Sequence, residues 1–366
     1  MFEQFSPTNK TNWKAQIEKD LKGKPYEELI WHLSEELHFE PFYTRAELGQ
    51  PAPLNSNSGN NWHIAEPILV DDYKTSNSKA LEGLMGGAEA LELAISKKPT
   101  AAEMAQLFDQ VELTYIAVHF RLQDGDIGLM EAVLEQFSSL VDARAYPPHE
   151  IRGSIGINLI DKQENWEKVK HILNRFKLLL PQFRLLTIEA AECSKTEEVL
   201  VHCLEKAVLA VDRLSDLGMS VADVHEQISF RLLIGKQYFV EIASIRALKL
   251  LWLHIQKAYN VEALELPPIG AGCNVRDYNA DQNMNMIRAT TIALSAAIGG
   301  VDCLAVLPSD LKGETAFQRR IARNVQHLLK MESYIDRVSD PAAGAYYIEK
   351  MTADFAGRAW EIFSSK

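Results

Sequence analysis

From Ile228 to Ile234 the residues ISFRLLI are mostly β-branched, aromatic or leucine, and Gly235 closes the run where a helical pattern begins. In that helix Tyr238, Phe239, Ile242, Ile245, Leu248, Leu251, Trp252 and Ile255 recur at helical spacing, while Lys236, Glu241, Arg246, Lys249 and Lys257 fill the other positions. One face is to be buried and the other solvated. A strand feeding a one-faced helix predicts an α/β protein, and the same unit recurs along the chain. Strand-like runs fall at Trp62–Leu69, Leu91–Ile95, Leu113–Phe120, Ile155–Leu159, Leu185–Ala190, Gln227–Leu232, Leu266–Ala271 and Val301–Leu307. Helical patterns lie between them, near 77–88, 101–109, 126–140, 163–180, 196–217, 236–258, 283–298 and 314–331. Such an alternation within one domain predicts a (β/α)8 TIM barrel, with a doubly wound open sheet as the alternative.

Glycines at Gly86–Gly87, Gly218 and Gly299–Gly300 stand where helices should stop, a few residues before the next strand. They are expected to cap helix ends. Ahead of the barrel, residues 8–22 form a charged helix closed by Gly23, a short polar strand follows around Ile30–Phe39, and PAPLNSNSGNN from Pro51 to Asn61 reads as a boundary loop. The expected organisation is an N-terminal helical arm and linker over 1–61, the barrel over 62–345 and a C-terminal helix over 346–366.

The 366 residues and their 47% apolar content suffice for one large α/β barrel. A net charge of −12 argues against nucleic acid or an anionic membrane as the partner. Cys193, Cys203, Cys273 and Cys303 are far apart and form no C-x-x-C pair, the pattern of reduced, buried thiols and of a cytoplasmic protein. His202 and Cys203 lie inside a helical pattern without a second pair at metal spacing, so no metal site is expected. Barrel enzymes place catalytic groups at the C-terminal ends of strands. There the candidates are His119, Asn158 and Glu189, which also suit a hydrogen-bonded layer at the barrel mouth. Arg319, Arg320 and Arg323 share a helix whose buried stripe would be Phe317, Ile321, Val325 and Leu328, which makes the arginines a solvated face.

Several long stretches, in order, resemble the barrel domain of the methylmalonyl-CoA mutases. They are ISFRLLIGKQYFVEIASIRALKLLW, NMIRATTIALSAAIGG from Asn285, FQRRIARNVQHLL from Phe317 and RVSDPAAGAYYIEKMTADFAGRAWEIF from Arg337. WKAQIEKDLKGKPYEEL from Trp13 and PFYTRAEL from Pro41 are similar to the arm of that family. The resemblance implies an adenosylcobalamin-dependent rearrangement of (R)-methylmalonyl-CoA to succinyl-CoA, with the acyl-CoA threaded along the barrel and the cofactor held by a separate flavodoxin-like domain.

Three departures fall on the family's active site. Catalytic members carry a segment like H-C-Q-T-S-G-W-S after the seventh strand. Here the stretch reads IGAGCNVRDY, with Ile269 at the histidine position and no histidine from Asn260 to Gln326. The aromatic P-Y-A-T-M-Y-like substrate loop has no counterpart in QPAPLNSNSGNN, and the chain stops at Lys366, short of a cobalamin domain. Asp223-Val-His225 begins like the D-x-H-x-x-G signature of cobalamin-binding domains, but Ile228 stands in place of the glycine and the motif precedes a strand.

The family includes heterodimers of a catalytic large subunit and a similar small subunit without the site. The resemblance therefore implies a non-catalytic small (beta) subunit that stabilises a large catalytic partner, its arm wrapping that partner. Adenosylcobalamin would be bound in the complex and not by this chain alone. The alternative is a competent acyl-CoA mutase barrel whose cobalamin domain is missing or on another chain.

Overall fold

The computed structural model describes residues 8–48, 54, 59–122, 126–156, 165–190, 193, 195–311 and 313–366. Eight parallel strands close into a barrel. They are β1 (His63–Leu69), β2 (Ala90–Ile95), β3 (Ala117–Leu122), β4 (Arg152–Gly156), β5 (Gln182–Glu189), β6 (Ile228–Ile234), β7 (Ile269–Cys273) and β8 (Cys303–Ala305). Closure is made by β8, whose Leu304 pairs with Ile64 of β1 on one side and Ala271 of β7 on the other. The open-sheet alternative is thereby excluded.

The connecting helices are α1 (Tyr73–Met85), α2 (Ala101–Leu107), α3 (Ile127–Ala143), α4 (Trp166–Leu179), α5 (Thr196–Asp216), α6 (Tyr238–Ala258), α7 (Gln282–Gly299) and α8 (Ala316–Met331). An additional short helix, Val221–Gln227, leads into β6. Outward residues of the strands meet the apolar stripes of these helices. Phe120 of β3, for example, stands edge-on to Phe108 and Phe137 with ring centroids 6.4 and 5.2 Å apart. Burying a side chain of this size stabilises by about 1.5–3 kcal/mol, so a continuous wall of them holds the helical ring to the sheet.

Several strands are offset from the sequence pattern: β5 starts three residues early, at Gln182, and β7 three residues late, at Ile269, and β3 and β4 show why. The apolar residues Leu113–Tyr115 form a 3-10 turn beneath the barrel, so β3 begins at Ala117 and runs on to Leu122. Likewise β4 occupies Arg152–Gly156, with a polar first residue that the apolar run did not mark. The expected helix caps hold in part. Gly87, Gly218 and Gly300 adopt φ of +89°, +89° and +81°, the left-handed region that glycine enters without strain. Gly86 and Gly299 do not, and serve as close-approach positions instead: a Cβ on Gly86 would lie 2.6 Å from Nη2 of Arg323.

Charged positions expected in solvent are buried on two helices. On α8 the packed face consists of Arg319, Ala322, Arg323, Gln326, Leu329 and Lys330, while Phe317 and Leu328 are more than half exposed. The cause is Glu66, which β1 directs outward into the helical layer. Arg323 donates to it at 2.7 Å and Arg319 lies 3.7 Å away. Gly83 of α1 leaves the space, since a Cβ there would sit 2.8 Å from Cγ of Glu66. On α6, Lys249 is buried against the end of α7, where it donates to the carbonyls of Gly299 and Gly300, and Arg246 is buried where the C-terminal helix Tyr346–Ser364 packs over it.

The N-terminal arm is docked on that same helix. Its hairpin strands, Trp31–His32 and His38–Phe39, bring buried Phe39 to 6.1 Å from Phe355 and 6.2 Å from Tyr347. Glu36 accepts from Nε of Arg358 at 3.0 Å. By contrast, the helix Lys10–Asp20 has no buried residue. The hairpin part of the arm is thus packed on its own chain. Among the described residues, no helix is long and apolar enough to cross a membrane.

Candidate functional site

Four charged side chains cross the barrel axis at mid-depth. Glu92 of β2 receives Nε and Nη2 of Arg231 from β6, both at 2.8 Å, in a bidentate pair. Glu189, the last residue of β5, receives Nε and Nη2 of Arg121 from β3 at 3.1 and 3.3 Å. Arg121 also lies 3.8 Å from Glu92, which joins the two pairs into one layer.

Local sequence explains how these long side chains fit inside an eight-stranded barrel. In ISFRLLI the inward positions alternate, placing Ser229, Arg231 and Leu233 toward the axis. Beside Arg231, strand β7 carries glycine at the facing positions, Gly270 and Gly272. A Cβ at Gly272 would collide with Nη2 of Arg231. Gly156 lies beside Glu189, but a Cβ there would meet Oε1 only at an ordinary contact distance of 3.5 Å. A register shift between β4 and β5 pairs Ser154 with Arg184 but Gly156 with Thr187. One extra residue on β5 thus lets Arg184, Thr187 and Glu189 all line the interior.

The charged layer divides the interior in two. Beneath it is a chamber of about 150 Å3, lined by His63, His119, Ser154, Thr187, Ser229 and Cys303 among others. Above it, open to the C-terminal face, is a cavity of about 350 Å3 whose walls include Pro67, Leu69, Leu233, Val275, Leu307 and Leu311. Glu92, Arg121 and Arg231 border both.

The electrostatics favour a closed, ionised layer. Burial opposes the charge of Glu92, but Arg231 and then Arg121 outweigh it and hold the carboxyl below its usual range. Burial likewise opposes the charge of Arg231, and Glu92 more than restores it. His119 lies three residues short of the end of β3, inside the lower chamber and beneath the rim. Its Nδ1 is 2.8 Å from Oγ of Ser154, its Nε2 has no hydrogen-bond partner, and burial lowers its pKa to about 4. It is a neutral imidazole at pH 7. Glu189 does reach the rim, where Arg121 occupies it. Asn158 lies outside the described residues. The structure therefore places Glu189 in the charged layer and His119 beneath it, both on the wall of the lower chamber.

Sequence reasoning missed Glu92, Arg121 and Arg231. A signal was present: each is a lone charge in an apolar strand, ALELAI, AVHFRL and ISFRLLI. A further pocket, by the loops after β6 and β7, holds Glu241 and Asp277. Burial pushes the Glu241 carboxyl up to about 7, against the Gly235 N–H that it accepts, and Asp277 adds to the rise. A folded-state pKa above the unfolded value contributes stability that is present at low pH and is lost as pH rises through about 7. Glu241→Gln is therefore expected to gain on the wild type by roughly 1–2 kcal/mol between about pH 5 and pH 8. Urea midpoints at the two pH values check this, and parallel pH profiles would refute it.

The fold and its interior define a (β/α)8 barrel protein whose axial passage is closed by paired charges. The chain belongs to the methylmalonyl-CoA mutase family, whose profile, described as methylmalonyl-CoA mutase, matches residues 85–365. It is 31% identical to the methylmalonyl-CoA mutase small subunit of Porphyromonas gingivalis, across 100% of this chain and 64% of that protein. The small subunit from Streptomyces virginiae is 28% identical over 94% of this chain and 60% of its own length. The methylmalonyl-CoA mutase of Cereibacter sphaeroides is 27% identical over 96% and 57%. The chain thus spans a little under two thirds of the length of these relatives.

Proposed function

We propose that this chain is the small (beta) subunit of a cobalamin-dependent methylmalonyl-CoA mutase, without catalytic activity of its own, and that it stabilises a large catalytic subunit in a heterodimer. The observation that carries the reading is the charged layer across the axis. A substrate threaded along such a barrel must pass mid-depth, where Glu92 and Arg231, each 7% exposed, are bonded to one another. Separating them without new partners leaves two buried charges, at a cost of several kcal/mol. Ile269, at the position of the family's substrate-binding histidine, is an apolar, fully buried residue of β7.

The Asp223-Val-His225 motif does not fit a ligand to cobalt. His225 of the Asp223-Val-His225 motif is buried with its ring 4.8 Å from Trp252 and 5.7 Å from Tyr259, on the face where β6 begins. No step of the reaction is assigned to it. In this reading adenosylcobalamin and acyl-CoA are held by the large subunit, and the complex is cytoplasmic and serves propionate metabolism. Residues 62–345 are the barrel unit, between the arm at 1–61 and the C-terminal helix at 346–366.

Assays with (R)-methylmalonyl-CoA and adenosylcobalamin test the proposal. The purified chain is expected to give no turnover, and its complex with the large subunit from the same source should be active at one-to-one stoichiometry. Turnover by the chain alone would overturn the reading in favour of a competent barrel.

A further inference from the structure

The hairpin of the N-terminal arm carries two exposed histidines. His32 and His38 stand directly opposite one another in its antiparallel strand pair, an arrangement that brings side chains on one face within reach. Their rings meet edge to face at 4.6 Å, with the two Nδ1 atoms 2.8 Å apart. No metal-ligand spacing marks the pair in the sequence, since the turn of the hairpin, not the six-residue interval, brings the rings together.

The backbone beneath the pair is fixed. Leu37 and Phe39, on either side of His38, are 5% and 0% exposed. The turn is closed by Leu33, which donates to the carbonyl of Leu37, and by Ser34 Oγ, which accepts from the N–H of Leu37. A hydrogen bond between two exposed rings adds little, because water competes for both nitrogens. A metal ion would use both lone pairs at once. With metal–nitrogen bonds of about 2.0–2.1 Å, two nitrogens on one ion lie about 2.9 Å apart at a right angle and about 3.3 Å apart in a tetrahedron. Opening the pair by at most about 0.5 Å therefore makes it a chelate. The donor ring then takes its Nε2–H tautomer, both Nδ1 lone pairs face the ion, and each imidazole stays neutral.

Charge and ligand type choose the ion. Residues 27–40 hold five glutamates and neither lysine nor arginine. Arg358 takes up Glu36 and Lys10 takes up Glu40, while Glu27, Glu28 and Glu35 have no ion-pair partner among the described residues. A dication thus meets a negative field. Imidazole nitrogen selects zinc, copper or nickel over magnesium and calcium, which take oxygen. No group of three or more metal-binding side chains gathers among the described residues, so the pair fills two positions and water the others.

We infer that His32 and His38 chelate a divalent transition-metal ion through their Nδ1 atoms, and that the ion clips the hairpin in the register that holds Phe39 on the C-terminal helix. The site needs neither the barrel interior nor a partner subunit, and so stands apart from the small-subunit reading.

Calorimetric titration of the untagged full-length chain with Zn2+ and, separately, with Cu2+ tests the site. One equivalent is expected to bind at micromolar concentration, Cu2+ more tightly than Zn2+. His32→Ala and His38→Ala should each weaken binding at least about 30-fold, because the second ligand of a chelate binds as an intramolecular one. Circular dichroism checks that both variants keep the fold. His149→Ala, at another exposed histidine, should bind as the wild type does. Electron paramagnetic resonance of the Cu2+ complex should count two equatorial nitrogens in the wild type. Zn2+ should also slow hydrogen exchange over Trp31–Phe39 in the wild type and in neither variant. Binding that saturates only at millimolar metal, or that survives within about 3-fold in either variant, would overturn the chelate, as would a single nitrogen in the wild-type spectrum. Exchange unchanged by a bound ion would overturn the clip while sparing the metal site.

Discussion

Glu92→Leu is expected to destabilise the chain by about 3–5 kcal/mol, because it leaves the Arg231 guanidinium inside the barrel without the carboxylate that receives two of its N–H groups. The site cannot relax by opening, since β7 confines the guanidinium at Gly272 and Phe230 and Leu232 anchor β6 in the surrounding core. Glu189 is committed to Arg121 and cannot serve both. The double variant Glu92→Leu with Arg231→Met should recover most of the loss, as a buried ion pair exchanged for apolar side chains of similar volume is often close to neutral. Urea denaturation of the wild type, the single variant and the double variant measures both steps. A loss under about 1 kcal/mol in the single variant would mean that the layer is hydrated and open, and the axial passage would then no longer count as closed.

That layer also shows which links of the argument the sequence carries. The order and kind of the barrel elements were legible because the runs from Trp62 to Leu307 alternate periods of two and of 3.6 without interruption. The site was legible only as isolated charges. Nothing local states that Glu92 and Arg231, 139 residues apart, face one another. That requires the barrel's closure and the alternation of each strand to be known together. His119 was misplaced toward the rim for a simpler reason: Arg121 breaks the apolar run, so the strand was cut at Phe120, whereas pairing with β2 continues to Leu122.

Burial on α6 and α8 was misread by the same local logic. Amphipathic patterning assigns charge to solvent, and it fails where a neighbouring element supplies buried countercharges. Glu66 on the outer face of β1 inverts α8, and the C-terminal helix covers Arg246 of α6. For α8 the informative sequence signal was the lone acid Glu66 in an otherwise apolar strand; for α6 it was the pair Asp340 and Glu349 in and before the covering helix, not the periodicity of the helix itself.

The consequence for α6 is the second large effect. Arg246 is 2% exposed and holds Asp340, and Glu349 through Nη2 at 2.8 Å, so it ties the barrel wall to the loop before the C-terminal helix and to that helix's first turn. Arg246→Met leaves both carboxylates, 6% and 8% exposed, facing an apolar side chain, and should cost about 4 kcal/mol. Arg246→Lys keeps the charge but cannot reach two acids with one planar fork, and a loss of about 2 kcal/mol is expected. Because Phe39 and Glu36 of the arm sit on Phe355 and Arg358, the damage should spread in a defined direction. Hydrogen exchange in Arg246→Met should rise over Tyr346–Ser364 and the hairpin around Trp31–Phe39 while β1–β5 keep their protection. Uniform loss of protection across the barrel would show instead that the C-terminal helix and the arm unfold only with the whole chain, and that Arg246 supports the barrel core rather than the docking of its outer layer.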